Sequence, residues 1–139
     1  MDVDIDVVAE DLRAAVGDLV RLARADERLS NNQLTILGML DRDGPATIAS
    51  LAEACGIRHQ SATKVVDQFR ADGLVEVGAH PSDKRAVQVV ISGTGRTLLG
   101  EERRRRSSWI AEAMRMNLSE SEQKSIPDLV AVLRRLAAS

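Results

Sequence analysis

The stretch that most limits what this chain can fold into is TIASLAEACGIRHQSATKVVDQFRADGLV, residues 47–75. Apolar residues recur at helical intervals on both sides of CGIR, residues 55–58, with Leu51 before it and Ala62, Val65, Val66 and Phe69 after it. Thr47 is placed to cap a short helix that ends at Gly56, and a second helix is predicted from His59 to Ala71, stopped by Gly73. Neither helix is long enough to be stable alone in water, so the two must pack on each other and on further apolar elements. This is a helix-turn-helix pattern. Leu51, Cys55, Ile57, Ala62, Val65 and Phe69 are expected to fill its small core, leaving Gln60, Ser61, Lys64 and Gln68 on the outer face of the second helix.

Many helical bundles share that periodicity, so the segment that follows carries weight. Leu74, Val75 and Val77 suggest a short strand, and Val87, Val89 and Ile91 alternate with Gln88 and Val90 in a second. Between them lies AHPSDKRA, which puts Pro81 to Arg85 at or near a hairpin tip. The chain carries 19 basic and 21 acidic residues, so no global cationic field attracts an anionic partner. Its charge is unevenly spread: residues 1–57 hold 5 basic and 11 acidic side chains, residues 58–96 hold 6 basic and 4 acidic. Local cations therefore stand where a second helix and a wing would meet nucleic acid.

The chemistry of these positions suits a duplex. Gln60 can offer a donor and an acceptor to an adenine edge, and Lys64 can donate to guanine acceptors or to a phosphate. Ser61 and Thr63 can make short phosphate or base contacts, and His59 can do either or project into solvent. At the tip, Lys84 and Arg85 can reach phosphates or follow a narrow minor groove, Asp83 can fix the arginine by a charge-assisted bond, and Pro81 limits the freedom of the approach.

The flanks read as helices. Val8, Leu12, Ala15, Leu19 and Leu22 form a stripe in residues 7–26, and a helix over 33–40 has Ser30 and Gln33 at capping-box spacing and Gly44-Pro45 as its stop. Ser92 is placed to cap a long helix whose first turn Gly95 weakens, and Ser119 with Glu122 opens a last one. Pro127 predicts a kink or restart there. The run EERRRR, residues 101–106, is expected to be a solvated or dimer-facing ion-pair surface, with a secondary phosphate contact as the alternative. The expected architecture is mainly α: residues 1–29 an N-terminal dimerisation helix, 30–95 a winged helix-turn-helix with a two-stranded wing, and 96–139 C-terminal dimerisation helices. Leu12, Leu19, Leu129, Leu133 and Leu136, with Met114 and Val132, are expected in the core or the dimer interface, as is Trp109.

Other functions find little support. Cys55, the single cysteine, cannot form an internal disulfide, and neither a hydrophobic signal segment nor an 18-residue apolar span is present, so a cytoplasmic protein without a membrane partner is expected. His59 and His80 have no metal cluster or nucleophile arrangement around them, and Gly93 and Gly95 lack the longer glycine pattern and lysine of a phosphate loop. No enzyme and no cofactor is expected. Phe69 and Trp109 are the only aromatics, which argues against a stacking platform for single strands.

Residues 30–99 resemble the MarR family of bacterial transcriptional regulators, and the length and flanking helices extend the likeness over nearly the whole chain. The most specific part is DGLVEVGAHPSDKRAVQVVISGTGRTLL, residues 72–99, similar to the family's GLV turn, D-[KR]-R wing and following small-residue helix start. Asp83, Lys84 and Arg85 match that wing, Arg85 falling on the arginine that supports or makes the minor-groove contact. The resemblance implies a homodimer reading a pseudo-palindromic operator in double-stranded DNA. It also implies repression relieved by a small amphipathic or aromatic effector, with Trp109 a candidate for lining its pocket. Val77 and Gly78 stand where many relatives start the wing with an arginine, and Pro127 interrupts a helix that is often smoother. The family's amino-terminal peroxide-sensing cysteine has no counterpart, which leaves Cys55 as a buried small hydrophobe. The alternative is a winged helix that binds protein without specific DNA binding, a distinction that salt-sensitive binding to one duplex makes.

Overall fold

A computed structural model describes residues 2–24, 29–83 and 85–139. Along the chain run α1 (Ile5–Ala23), α2 (Asn31–Asp43), β1 (Ala46–Thr47), α3 (Ile48–Cys55), α4 (His59–Ala71), β2 (Val75–Ala79), β3 (Val87–Ile91), α5 (Gly93–Asn117) and α6 (Glu120–Ala137). The protein is mainly helical, with a three-stranded antiparallel sheet in the order β1-β3-β2.

The chain divides into two compact units, one of residues 27–103 and one of residues 1–26 with 104–139. In the first, Leu34, Ile36, Leu37 and Leu40 of α2 pack with Leu51 of α3, Val66 and Phe69 of α4, Leu74, Val75, Val89, Ile91 and Leu99. Phe69 is 1% exposed, and among the described residues this cluster is where apolar side chains leave water most completely. Cys55 and Val65, expected inside, are half-buried against it, and Ile57 is half-buried as well. They sit there because α2 and the sheet, rather than the two short helices alone, supply the centre.

Register fixes which wing residues point inward. Val75 pairs with Ile91, Val77 with Val89 and Ala79 with Val87, so these share one face while Glu76 and Gln88 belong to the other. A slip by one residue would send Val89 and Ile91 into water. The third strand, β1, corrects the two-stranded wing expected from the pattern: Ala46 pairs with Val89 and Thr47 with Gln88. Two residues cannot show an alternation, and this strand exists through pairing with β3.

The caps form where the sequence spacing places them. Ser30 accepts from the amide of Gln33 and its own amide donates to the Gln33 side chain, at 3.2 and 2.8 Å, a complete capping box. Ser119 and Glu122 do the same at the start of α6. Thr47 Oγ1 accepts from the amide of Ser50, and Gly56 ends α3 at φ +63°, a left-handed position that glycine takes without strain.

Two expectations about the long helices need correction. α6 runs as one helix from Glu120 to Ala137 with Pro127 inside it, so there is no restart. Pro127 gives up one bond to the carbonyl of Gln123, and the remaining turns and both caps outweigh it. The EERRRR run is not uniformly solvated. Glu102 is 1% exposed, Arg105 and Arg106 are half-buried, and Arg103 donates to Asp41 at 3.2 Å. A helix that lies over apolar neighbours must turn some member of any such run inward, whatever its charge.

In the second unit neither α1 nor α6 contains a buried residue, although both carry apolar stripes. Leu12, Leu19, Leu129 and Leu136 are all exposed, and Leu133 is half-buried.

Candidate nucleic-acid interface

α4 presents its first turns outward. His59, Gln60, Ser61 and Lys64 are exposed while Ala62, Val66 and Phe69 are buried, as 3.6-residue periodicity requires. Residues 60, 61 and 64 lie within one turn on the same outer face. Among the described residues the side chains of Gln60, Ser61 and Lys64 make no hydrogen bond, which leaves their donors and acceptors for another molecule. Thr63 differs: it is half-buried, and its hydroxyl donates to the carbonyl of His59 at 2.9 Å, a back-bond within the helix. Arg58, the N-cap residue, makes no side-chain cap bond and is exposed. It puts a cation at the outer end of α4 that helical periodicity does not single out; its place directly before His59 is the one signal the sequence offers.

The wing tip is closed by bonds within a few residues. The His80 amide donates to the Ala86 carbonyl at 3.3 Å, and the Ala86 amide to the Asp83 carbonyl at 3.1 Å. The Asp83 carboxylate accepts from the backbone amide of Arg85 at 2.9 Å. Asp83 thus holds Arg85 through its main chain. Pro81, Asp83 and Arg85 are exposed; Lys84 lies outside the described residues. His80, half-buried, accepts at Nδ1 from the amides of Ser82 and Asp83, a role for which its sequence position offers no hint.

Wing and helix meet at one cleft of about 210 Å³, lined by Thr47, Ile48, Ala49, His59, Arg85, Ala86 and Val87. Segments far apart along the chain are brought together here: the start of α3, the first residue of α4 and the wing arginine. Strand β2, with the sequence VEVGA, carries no lysine or arginine.

The frame under this surface is anchored by α5. Ser92 Oγ accepts from the Gly95 amide at 3.0 Å and donates to the Gly73 carbonyl at 2.6 Å, joining the helix start to the end of α4. Asp41 of α2 receives Arg103 at 3.2 Å and Arg96 at 3.7 Å. Cys55 is half-buried, and burial raises its thiol pKa above the usual range, away from the thiolate a redox sensor needs.

In the other unit, Leu19, Trp109, Met114, Ile126, Leu129 and Leu133 are among the residues lining an open, mostly apolar groove of about 480 Å³. Leu12 and Leu136 are not part of its lining.

Residues 29–86 match the sequence pattern of the MarR family, and the match spans α2, the helix-turn-helix and the wing tip. The chain is also similar to an uncharacterised HTH-type transcriptional regulator of Mycobacterium bovis, Mb0904, with 34% identity over 132 residues, 91% of this chain and 92% of the relative. The chain belongs to the MarR family. The crystal structure of a transcriptional regulator from Pseudomonas aeruginosa superposes with a TM-score of 0.83 at 29% identity over 99% of both chains. BpsR from Bordetella bronchiseptica shares the fold at a TM-score of 0.61 and 24% identity, covering 95% of this chain and 94% of its own.

As a MarR-family protein the chain is a DNA-binding transcriptional regulator and not an enzyme. Among the described residues no helix is long and apolar enough to cross a membrane.

Proposed function

We propose that the protein is a cytoplasmic homodimer that binds a pseudo-palindromic operator in double-stranded DNA and represses transcription until a small amphipathic or aromatic effector releases it. The observation that supports DNA reading is the meeting of His59 and Arg85 at one cleft, next to the exposed, uncommitted Gln60, Ser61 and Lys64. With α4 in a major groove, Gln60 and Lys64 address base edges, and Ser61, Arg58 and His59 address the backbone. Arg85 and Lys84 reach the flanking phosphates or minor groove from the wing, with Asp83 setting the approach of Arg85. Thr63, its hydroxyl already engaged, serves mainly to hold the first turn of α4.

The dimer is supported by α1 and α6, whose apolar stripes have no buried member in the single chain. Contiguous apolar faces of this kind mark interaction surfaces. A second copy covering Leu12, Leu19, Leu129, Leu133 and Leu136 sets two α4 helices roughly 34–36 Å apart, one turn of B-DNA. The effector is supported by BpsR, whose DNA binding is regulated by 6-hydroxynicotinic acid. A ligand near Trp109 would act by favouring a helix spacing that the operator does not accept.

Selection of bound duplexes from a random pool tests the proposal, followed by salt titration of the wild type and a Lys84→Ala, Arg85→Ala double variant. The expected result is a recurrent inverted repeat, with weaker binding and a salt slope shallower by about one to two units in the variant. A folded dimer that enriches no sequence would favour a protein-binding role instead.

A further inference from the structure

Two backbone amides of the wing, those of Ser82 and Asp83, donate to a single acceptor, Nδ1 of His80, at 3.1 and 3.2 Å. An imidazole nitrogen accepts only while it carries no proton, so both bonds require the neutral ring with its hydrogen on Nε2. Asp83, held by one of these bonds, in turn accepts from the Arg85 amide. The imidazole is the base of a chain of bonds that ends at the wing arginine.

We infer that His80 is a positioning residue for the wing, that it acts only when unprotonated, and that operator binding therefore weakens as pH falls through its titration. This rests on the DNA-binding reading above. Protonation turns Nδ1 into a donor facing two donors, so Ser82 and Asp83 lose their acceptor together. The ordered tip is present while the ring is neutral and is lost once Nδ1 is protonated.

The charged groups around His80 do not reverse that sign. From α2, Asp43 lines the same cleft of about 260 Å³, together with the uncharged Thr47, Ser50 and Gln88 from β1, α3 and β3. Arg42 donates twice to Asp43 at 3.1 Å and holds its carboxyl below the usual carboxylate range, so Asp43 stays ionised while the histidine titrates. It gives a protonated ring an alternative partner. From the wing itself come Asp83 and Arg85, the groups the ring positions. His59 is the chain's other histidine, and a proton there adds a cation beside DNA, the opposite effect.

The test accordingly uses a His59→Gln parent, with His80→Asn and His80→Ala added to it. Asparagine Oδ1 takes nearly the place of Nδ1 and accepts at every pH. Backbone amide NMR of the free, full-length chain from about pH 8 to 5.5 is paired with affinity for the selected duplex over the same range. In the parent, the Ser82 and Asp83 amide signals should move in step with the His80 ring and affinity should fall roughly five- to tenfold. The asparagine variant should hold both constant, and the alanine variant should bind weakly at all pH values. Amide signals indifferent to the ring, or an asparagine variant with the parent's pH slope, overturn the inference. A folded wild type that, like the His59→Gln parent, binds no duplex at any pH while the parent's amides still titrate identifies the DNA-binding reading as the failure, and removes the wing's role with it.

Discussion

Gly95 stands against the backbone carbonyl of Leu74 so closely that a Cβ at position 95 would lie 2.2 Å from the oxygen and 2.9 Å from Cγ1 of Ile91. The first turn of α5 is thereby seated on the strand entering the wing, and the Ser92 amide donates to the same Leu74 carbonyl at 2.9 Å. Alanine is the better helix former by about 1 kcal/mol, but here it forces a backbone shift in a buried position. We expect Gly95→Ala to destabilise the fold by about 2–3 kcal/mol net, read as a lower urea midpoint. An unchanged midpoint would mean that α5 moves aside without cost.

Asp41 joins two arginines of α5 to α2, but both arginines are more than half exposed and Asp41 itself 31%. Water screening therefore limits the pair's worth. Asp41→Ala should cost about 0.5–1 kcal/mol at low salt, with most of the difference gone in about 1 M salt. A loss of several kcal/mol that salt does not touch would show that Asp41 is needed for packing rather than charge.

If Gln60 reads a base edge, Gln60→Ala should relax one position in each half-site, at about 1–3 kcal/mol of discrimination, and leave the rest of the selected sequence intact. Arg58→Ala, by contrast, should weaken all duplexes alike and reduce the salt slope by about one. Selection with each variant separates the two outcomes; a uniform loss for Gln60→Ala would assign it to the backbone.

Cys55 has its thiol pKa raised by burial, so little thiolate is available for attack on peroxide. Cys55→Ser should bind the operator like the wild type and show the same response to peroxide. Peroxide-dependent release that disappears in the variant would make Cys55 a sensor.

What can be read from the chain is what is decided within a few residues. Ser30 with Gln33, Ser119 with Glu122 and Thr47 with Ser50 are three apart, and their bonds form wherever the helix forms. The alternation of Val87, Val89 and Ile91 and the periodicity of α4 likewise specify a face before any partner is known, which is why the exposed positions of Gln60, Ser61 and Lys64 are accessible from spacing. Local rules also leave alternatives open: of the kink or restart that Pro127 predicts, α6 shows no restart.

The tertiary structure decided the rest because those features depend on where the chain returns. Strand β1 exists by pairing with residues some forty positions later, and the need for glycine at 95 is set by Leu74. Asp41 meets Arg103 across 62 residues, and Glu102 is buried because of its azimuth on α5 rather than its chemistry. The meeting of His59 with Arg85, and the two amides aimed at His80, belong to the same class. A sequence states which groups are available and which face they share; only the folded chain sets the distance between faces, and hydrogen bonds and close approaches are decided by tenths of an ångström.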